Sequence, residues 1–394
     1  MMALFAMNLT AISPAILEIG KAFSLSTAQS GLIFTFNFIG FAVFILTGGA
    51  LTDRFGKKAV LNAAIVGLTA SLAVFASVQS FAVLCAVAIF MGGFGGVLES
   101  LVSALVSDIN PENPGFYVNL TQVFFGIGAI VGPVAAGFAI SSGAGWRVYY
   151  LVMCALFLVM SVIFLPARVQ AVNEAVTSEK SLLEKGGENQ KAGIALKGGQ
   201  PPWRVMSLVK SPGFILLCLC IMFYTGAEVG GWGWMCKLLE ENLGYSVATS
   251  GFAVAFFWIA MTAGRTLCGA LTGKVPMVWM IRILALSAAI FTLLSALVKN
   301  EAGMWILVAL MGLTYSSLFP FIIAYGGSKL NAPSGITYSL LVAAGGVGSM
   351  TVPYVMGLVG DVFTMSAAML VPAVLLFLVA VIFFSFRLDK RVVK

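Results

Sequence analysis

Histidine is absent from the 394 residues, and charged side chains make up only 9% of them. The sequence offers no nucleophile with a base beside it and no metal-ligand cluster, so neither an enzyme nor a bound cofactor or metal is expected. Its six cysteines, Cys85, Cys154, Cys218, Cys220, Cys236 and Cys268, all fall within or at the ends of apolar stretches. Free buried thiols are predicted, and no disulfides. No basic segment precedes the first apolar stretch, so a cleavable signal peptide is not expected.

Hydrophobic residues fill the space that charge leaves, at 60% of the chain, with 43 glycines among the rest. So few charges cannot clothe a water-facing surface, and a lipid solvent admits only helices or a closed barrel. Continuous apolar runs select helices. Dividing the chain at its charged and Pro/Gly breaks predicts an all-α membrane protein with twelve spans of about 20 residues. They cover 1–20, 28–51, 59–78, 81–106, 115–140 and 148–165, then 212–236, 247–272, 276–297, 303–325, 334–359 and 364–386. The charged, Gly/Pro-rich stretch 167–211 reads as a cytoplasmic linker, with a short helix near 178–188, between six-helix halves 1–166 and 212–394.

Basic residues set the orientation. With both termini inside, only Lys21, Arg147, Lys237 and Lys299 of the 22 Lys and Arg fall outside. A multi-pass protein of the plasma (inner) membrane with cytoplasmic termini is therefore expected, a monomer in the lipid bilayer. The net charge of +7 is a topology signal and implies no nucleic-acid partner.

The sequence also matches itself at a fixed offset of 220 residues. Gly49-Ala50-Leu51-Thr52 recurs as Gly269-Ala270-Leu271-Thr272, Ser26 and Gly31 pair with Ser246 and Gly251, and Met91-Gly92 with Met311-Gly312. Gly128, Pro133 and Gly137 fall on Gly348, Pro353 and Gly357. Two copies of one unit in a membrane predict two halves that work against each other.

Between spans two and three stands Gly49-Ala50-Leu51-Thr52-Asp53-Arg54-Phe55-Gly56-Lys57-Lys58. It resembles, position for position, the G-x-L-x-D-R-x-G-R/K-R/K motif of the major facilitator superfamily. The resemblance implies twelve helices in two parallel six-helix repeats, alternating access, and a gating role for Gly49, Asp53, Arg54, Gly56 and Lys57. Gly49 would let a neighbouring helix approach, Asp53 would face a helix N-terminus, and the cations would anchor the turn at the headgroups. The second-half counterpart begins at Gly264-Arg265 and lacks the Asp, which gives Arg265 a gating role in an asymmetric latch.

Polar residues inside spans carry the rest, because lipid makes them expensive. Only Glu99 and Glu228 sit deep in a span, and Arg265 reads as lying at a span end, so no cation is expected at their depth. Two such carboxylates suit a proton carrier, with Na+ as the alternative coupling ion. The missing cation argues against phosphate, nitrate or dicarboxylate substrates. Asn119, Gln122 and Gly126 fall at i, i+3 and i+7, and Tyr224, Glu228 and Trp232 at i, i+4 and i+8. With Asn8, Asn37 and Tyr315 these amides and rings form a candidate site for a small neutral solute, a sugar.

A narrower resemblance follows from Gly95-Gly96-Val97-Leu98-Glu99, Asn119-Leu120-Thr121-Gln122 and Gly126-Ile127-Gly128-Ala129, which are similar to elements of the fucose:proton symporter branch. The resemblance implies proton-coupled sugar uptake, with Glu99 linked to sugar or proton and Asn119 and Gln122 in the sugar site. That branch has an Asp in its first span where this chain has Asn8, Thr10 and Ser13, which moves the proton toward Glu228. The rival readings are a drug:proton exporter of the same architecture and a non-transporting sensor on a carrier scaffold.

Overall fold

A computed structural model describes residues 1–110, 112–166, 211–329 and 334–385; the expected linker and its short helix lie outside the described residues. The described chain forms helices α1 (Met2–Thr10), α2 (Ile12–Ala22), α3 (Thr27–Phe55), α4 (Lys57–Ser77), α5 (Phe81–Ile109), α6 (Pro114–Ser141) and α7 (Gly145–Phe164). After residue 210 come α8 (Pro212–Gly233), α9 (Met235–Leu243), α10 (Val247–Leu271), α11 (Met277–Leu297), α12 (Glu301–Tyr315) and α13 (Leu318–Lys329). The last are α14 (Ser334–Val362), α15 (Met365–Ala368) and α16 (Leu370–Ser385). They make eleven spans long and apolar enough to cross a membrane, and α1 with α2, bent by 43°, makes a twelfth.

The spans match the expected ones; the breaks within them were not expected. Three breaks have a proline as cause, because its missing N–H leaves the carbonyl four residues earlier without a helical partner. Pro14 frees Thr10 at the α1–α2 bend, Pro320 frees Ser316 between α12 and α13, and Pro372 frees Ala368 between α15 and α16. The all-free cysteines agree with the reading of their apolar surroundings.

The 220-residue repeat reappears as repeated packing. A Cβ at Gly92 would strike the carbonyl of Asn37, and one at Gly312 that of Phe257; both members of each pair differ by 220. Such glycines let helices cross backbone to backbone, which in lipid replaces the hydrophobic drive. The same relation governs the contact between halves. Gly31 lies against the Pro353 carbonyl and Gly251 against that of Pro133; Gly357 meets Thr27 and Ala28, and Gly137 meets Val247 and Ala248.

All these cross-half contacts gather at one end, where α3 and α10 begin and α6 and α14 finish. There the Asp361 carboxylate accepts from Thr27 N at 2.6 Å and Ala28 N at 2.9 Å, capping α3 from the other half. At the equivalent place Ser141 Oγ accepts from Ala248 N at 3.0 Å. Lys21 pairs with Glu240 at 3.3 Å, Ser13 Oγ donates to the Trp232 carbonyl at 2.8 Å, and Thr35 Oγ1 to that of Met350 at 2.7 Å. These hydrogen bonds and this ion pair between the halves all lie at the one end.

The Asp361 bonds exist only while this end is closed. A charged cap on a helix N-terminus is worth about 1 kcal/mol, so Asp361→Ala should favour opening here roughly fivefold. Labelling of Cys236, buried at this end, by an impermeant maleimide in a chain whose other cysteines are replaced reads the shift. Unchanged labelling would sink the assignment.

Candidate functional site

Among the described residues the halves part toward the end that carries the Gly56 turn. The last approaches recorded between them in that direction are Gly126 against Thr262 and Gly346 against Ala42. Beyond these, Gly49, Gly56, Gly269 and Gly273 have nothing within 4 Å of where a Cβ would sit. The cleft so formed has α5 and α6 on one side and α8, α10 and α12 on the other.

Arg265 corrects the sequence reading most. It lies within α10, not in a loop at its end, and its guanidinium charge reaches both Glu99 on α5 and Glu228 on α8. The cleft is therefore not free of cations, and the argument against anionic solutes drawn from their absence lapses. No direct ion pair joins the three, so the guanidinium acts on the carboxylates across space. It is held by its own half: Arg265 Nε donates to the Ser316 carbonyl at 3.1 Å, the group that Pro320 leaves free. The neighbouring Tyr315 carbonyl, at the same break, accepts from the Tyr224 hydroxyl at 2.8 Å. Two side chains thus satisfy the backbone of the broken tenth span, and one of them carries the charge of the cleft.

Arg265 completes a stripe with Trp258 and Thr262 at i, i+4 and i+7. The stripe faces α6, where Gly126 touches Thr262 and the Phe125 ring lies 5.9 Å from Trp258. On α6, Asn119 is exposed and Gln122 half-buried, so both amides remain open to a solute. Glu99 and Glu228 are also half-buried.

The other expected solute contacts are placed differently. Asn8 is 5% exposed and, with Asn37, lines a small cavity inside the N-terminal half, away from the cleft, because the bend of the first span turns Asn8 toward α3 and α7. Tyr224 and Tyr315 are fully buried with their hydroxyls committed, the second to Thr292 Oγ1 at 2.9 Å. Trp232 is buried in a chain of rings, Phe125–Trp258–Trp232–Phe34–Trp234, with centroids 5.9 to 6.2 Å apart. That aromatic layer lies between the polar cleft and the closed end. Within it the Trp258 indole N–H has no partner, a donor that sequence reading missed.

The expected gating residues lie at the open end. Gly49 is exposed, so the close helix approach expected there is not made in this state. Gly56, at φ +82°, is the one-residue turn between α3 and α4, a conformation that favours glycine. Lys57 pairs with Asp108 of its own half, Arg54 lies over the Phe55 ring at 5.2 Å, and the Asp53 side chain lies outside the described residues.

The family profile of the Major Facilitator Superfamily matches residues 1–338. Among curated proteins the chain is 26% identical over 378 residues to the glucose/galactose transporter of Brucella abortus, covering 90% of this chain and 84% of that one. Among solved structures it superposes on a D-xylose-proton symporter with a TM-score of 0.79 at 16% identity, covering 99% and 96% of the two chains. On the Escherichia coli fucose:proton symporter the TM-score is 0.59 at 19% identity, with 98% of each chain covered.

Arg265→Gln leaves two carboxylates facing one cleft without a counter-charge. The loss of stability should be on the order of 1–2 kcal/mol, discounted for partial exposure, and larger at pH 8 than at pH 5, where protons can replace the missing charge. Thermal unfolding in detergent measures it. A loss independent of pH would assign Arg265 to the Ser316 bond alone.

Proposed function

The chain belongs to the Major Facilitator Superfamily, and from that premise we propose that it is a secondary active transporter taking up a small, sugar-like solute together with a proton. The observation that carries the reading is Arg265 with its charge reaching carboxylates of opposite halves, Glu99 and Glu228. With both carboxylates ionised the set bears one net negative charge. Closing the cleft over it would bury that charge, which is costly; one proton makes the set neutral and lets the halves close. Loading of a proton and closure of the cleft become one event, and one proton moves per cycle.

Glu228 has the chemistry to hold that proton. It lies near the Tyr224 hydroxyl, whose hydrogen is given to the Tyr315 carbonyl. The phenol oxygen is left as an acceptor, the kind of group to which a protonated carboxyl donates once the two meet. Glu99 lies on α5, which packs beside the α6 helix that carries the amides Asn119 and Gln122, and in this reading it senses the solute. The named activities of the glucose/galactose and D-xylose-proton relatives support a sugar-like solute and proton coupling. If the basic residues mark the cytoplasmic face, the cleft opens inward in this state and rocking of the halves exposes it to the other side.

Proteoliposomes test the coupling. Glu99→Gln should retain solute counterflow and lose acid-driven accumulation, and unchanged accumulation would remove Glu99 from the coupling. A panel of labelled hexoses and deoxyhexoses identifies the solute; no hexose counterflow together with outward movement of lipophilic cations would favour the drug exporter instead. Trp258→Phe keeps the ring layer and deletes the unpartnered N–H. It should raise KM about two- to tenfold with little change in maximal rate, the worth of one hydrogen bond to a solute hydroxyl; an unchanged KM excludes that contact.

A further inference from the structure

The cavity that takes Asn8 and Asn37 out of the cleft has a composition of its own. It holds about 20 Å³ and is lined by residues of six helices of the N-terminal half, among them Asn8 on α1, Ile12 on α2, Asn37 on α3, Phe75 on α4, Ala88 on α5 and Tyr150 on α7. Asn8 Oδ1 and the Tyr150 hydroxyl are both buried without a protein partner. The Asn37 amide makes only a 3.5 Å contact, from Nδ2 to the Ala88 carbonyl. Two orphaned polar atoms aimed at one small space are uncommon in a native core, where each would cost about 1–3 kcal/mol if left unpaired.

We propose that this cavity is the binding site of a single structural water that bridges Asn8, Asn37 and Tyr150. The volume suits one water, which needs at least about 10–15 Å³ and two to four polar partners. The donors and acceptors balance: Tyr150 donates its hydrogen to the water oxygen, and the water donates to Asn8 Oδ1 and to the Asn37 amide oxygen. A sodium ion fits less well. It accepts nothing from a phenol hydrogen, it wants about six oxygens, and no carboxylate lines the cavity to offset its charge.

The second half has no counterpart, which ties the site to these residues and not to the repeat. At the offset of 220, Asn37 becomes Phe257, whose ring lies 5.8 Å from that of Tyr315, and Tyr150 becomes Leu370. The water would hold α1, α3 and α7 together in the half that presents Glu99, without touching the other half.

Thermal unfolding gives the proposal a sign. Tyr150→Phe deletes one oxygen and leaves the ring, and Asn8→Leu is nearly isosteric. If a water joins them, each variant lowers the unfolding midpoint by about 1–4 °C, and the double variant falls little further than the worse single one. If no water is bound, each substitution removes an unsatisfied group and the midpoint rises, which overturns the proposal; so do two losses that simply add. The wild-type midpoint should be the same in sodium and choline chloride, and a rise specific to sodium would assign the site to the cation. A map near 2 Å resolution should show one peak about 2.8 Å from both Asn8 Oδ1 and the Tyr150 oxygen; a clear map without it also overturns the proposal.

Discussion

The structure depends on backbone meeting backbone at the closed end. Gly31, Gly137, Gly251 and Gly357 bring helix ends of opposite halves so close that a Cβ would meet backbone at 2.4 to 3.0 Å, and N–H groups at the starts of α3 and α10 are capped from across the boundary. Ser26 and Ser246 cap Gln29 N and Thr249 N from within each half, and the cross-boundary acceptors take further N–H groups of the same first turns. The junction holds the halves together at one end while the cleft lies toward the other.

The two caps are not equal. Asp361 brings a full charge to the start of α3, whereas Ser141 brings a hydroxyl to the start of α10. The α3–α14 seam is thereby the stronger of the two in the closed arrangement, since charge-assisted bonds exceed neutral ones about twofold. The repeat builds a symmetric hinge, and a single residue difference gives it a preferred side.

Much of this was legible in the sequence. The twelve spans follow from run lengths, and the offset of 220 marked Gly31, Gly137, Gly251 and Gly357 before any contact was known. Glu99 and Glu228 stood out because lipid makes carboxylates rare. Arg265 was misplaced because Gly269-Ala270-Leu271-Thr272 resembles the first-half loop motif and drew the loop toward it; its partner on the diagonal, Ile45, lies well inside α3 and was the available signal. The faces of Asn8, Asn37 and Tyr315 were not readable. Helix rotation is set by the bends at Pro14 and Pro320, and spacing alone does not say which carbonyl a bend releases or which side chain claims it.

The tenth span shows how scaffold and site become one object. Pro320 opens the helix, and the two carbonyls it exposes would be untenable in lipid without donors. Tyr224 and Arg265 supply them, which fixes the phenol near Glu228 and the guanidinium within charge reach of Glu228 and Glu99. In the first half the position of Tyr315 is Gly95, packed against the Phe5 ring, and no charge is recruited. The charged centre of the cleft is thus a consequence of a helix break in one copy that the other copy lacks at that place. A change that straightens the tenth span would release Arg265 and Tyr224 together, so the geometry of that backbone and the charge of the cleft cannot vary independently.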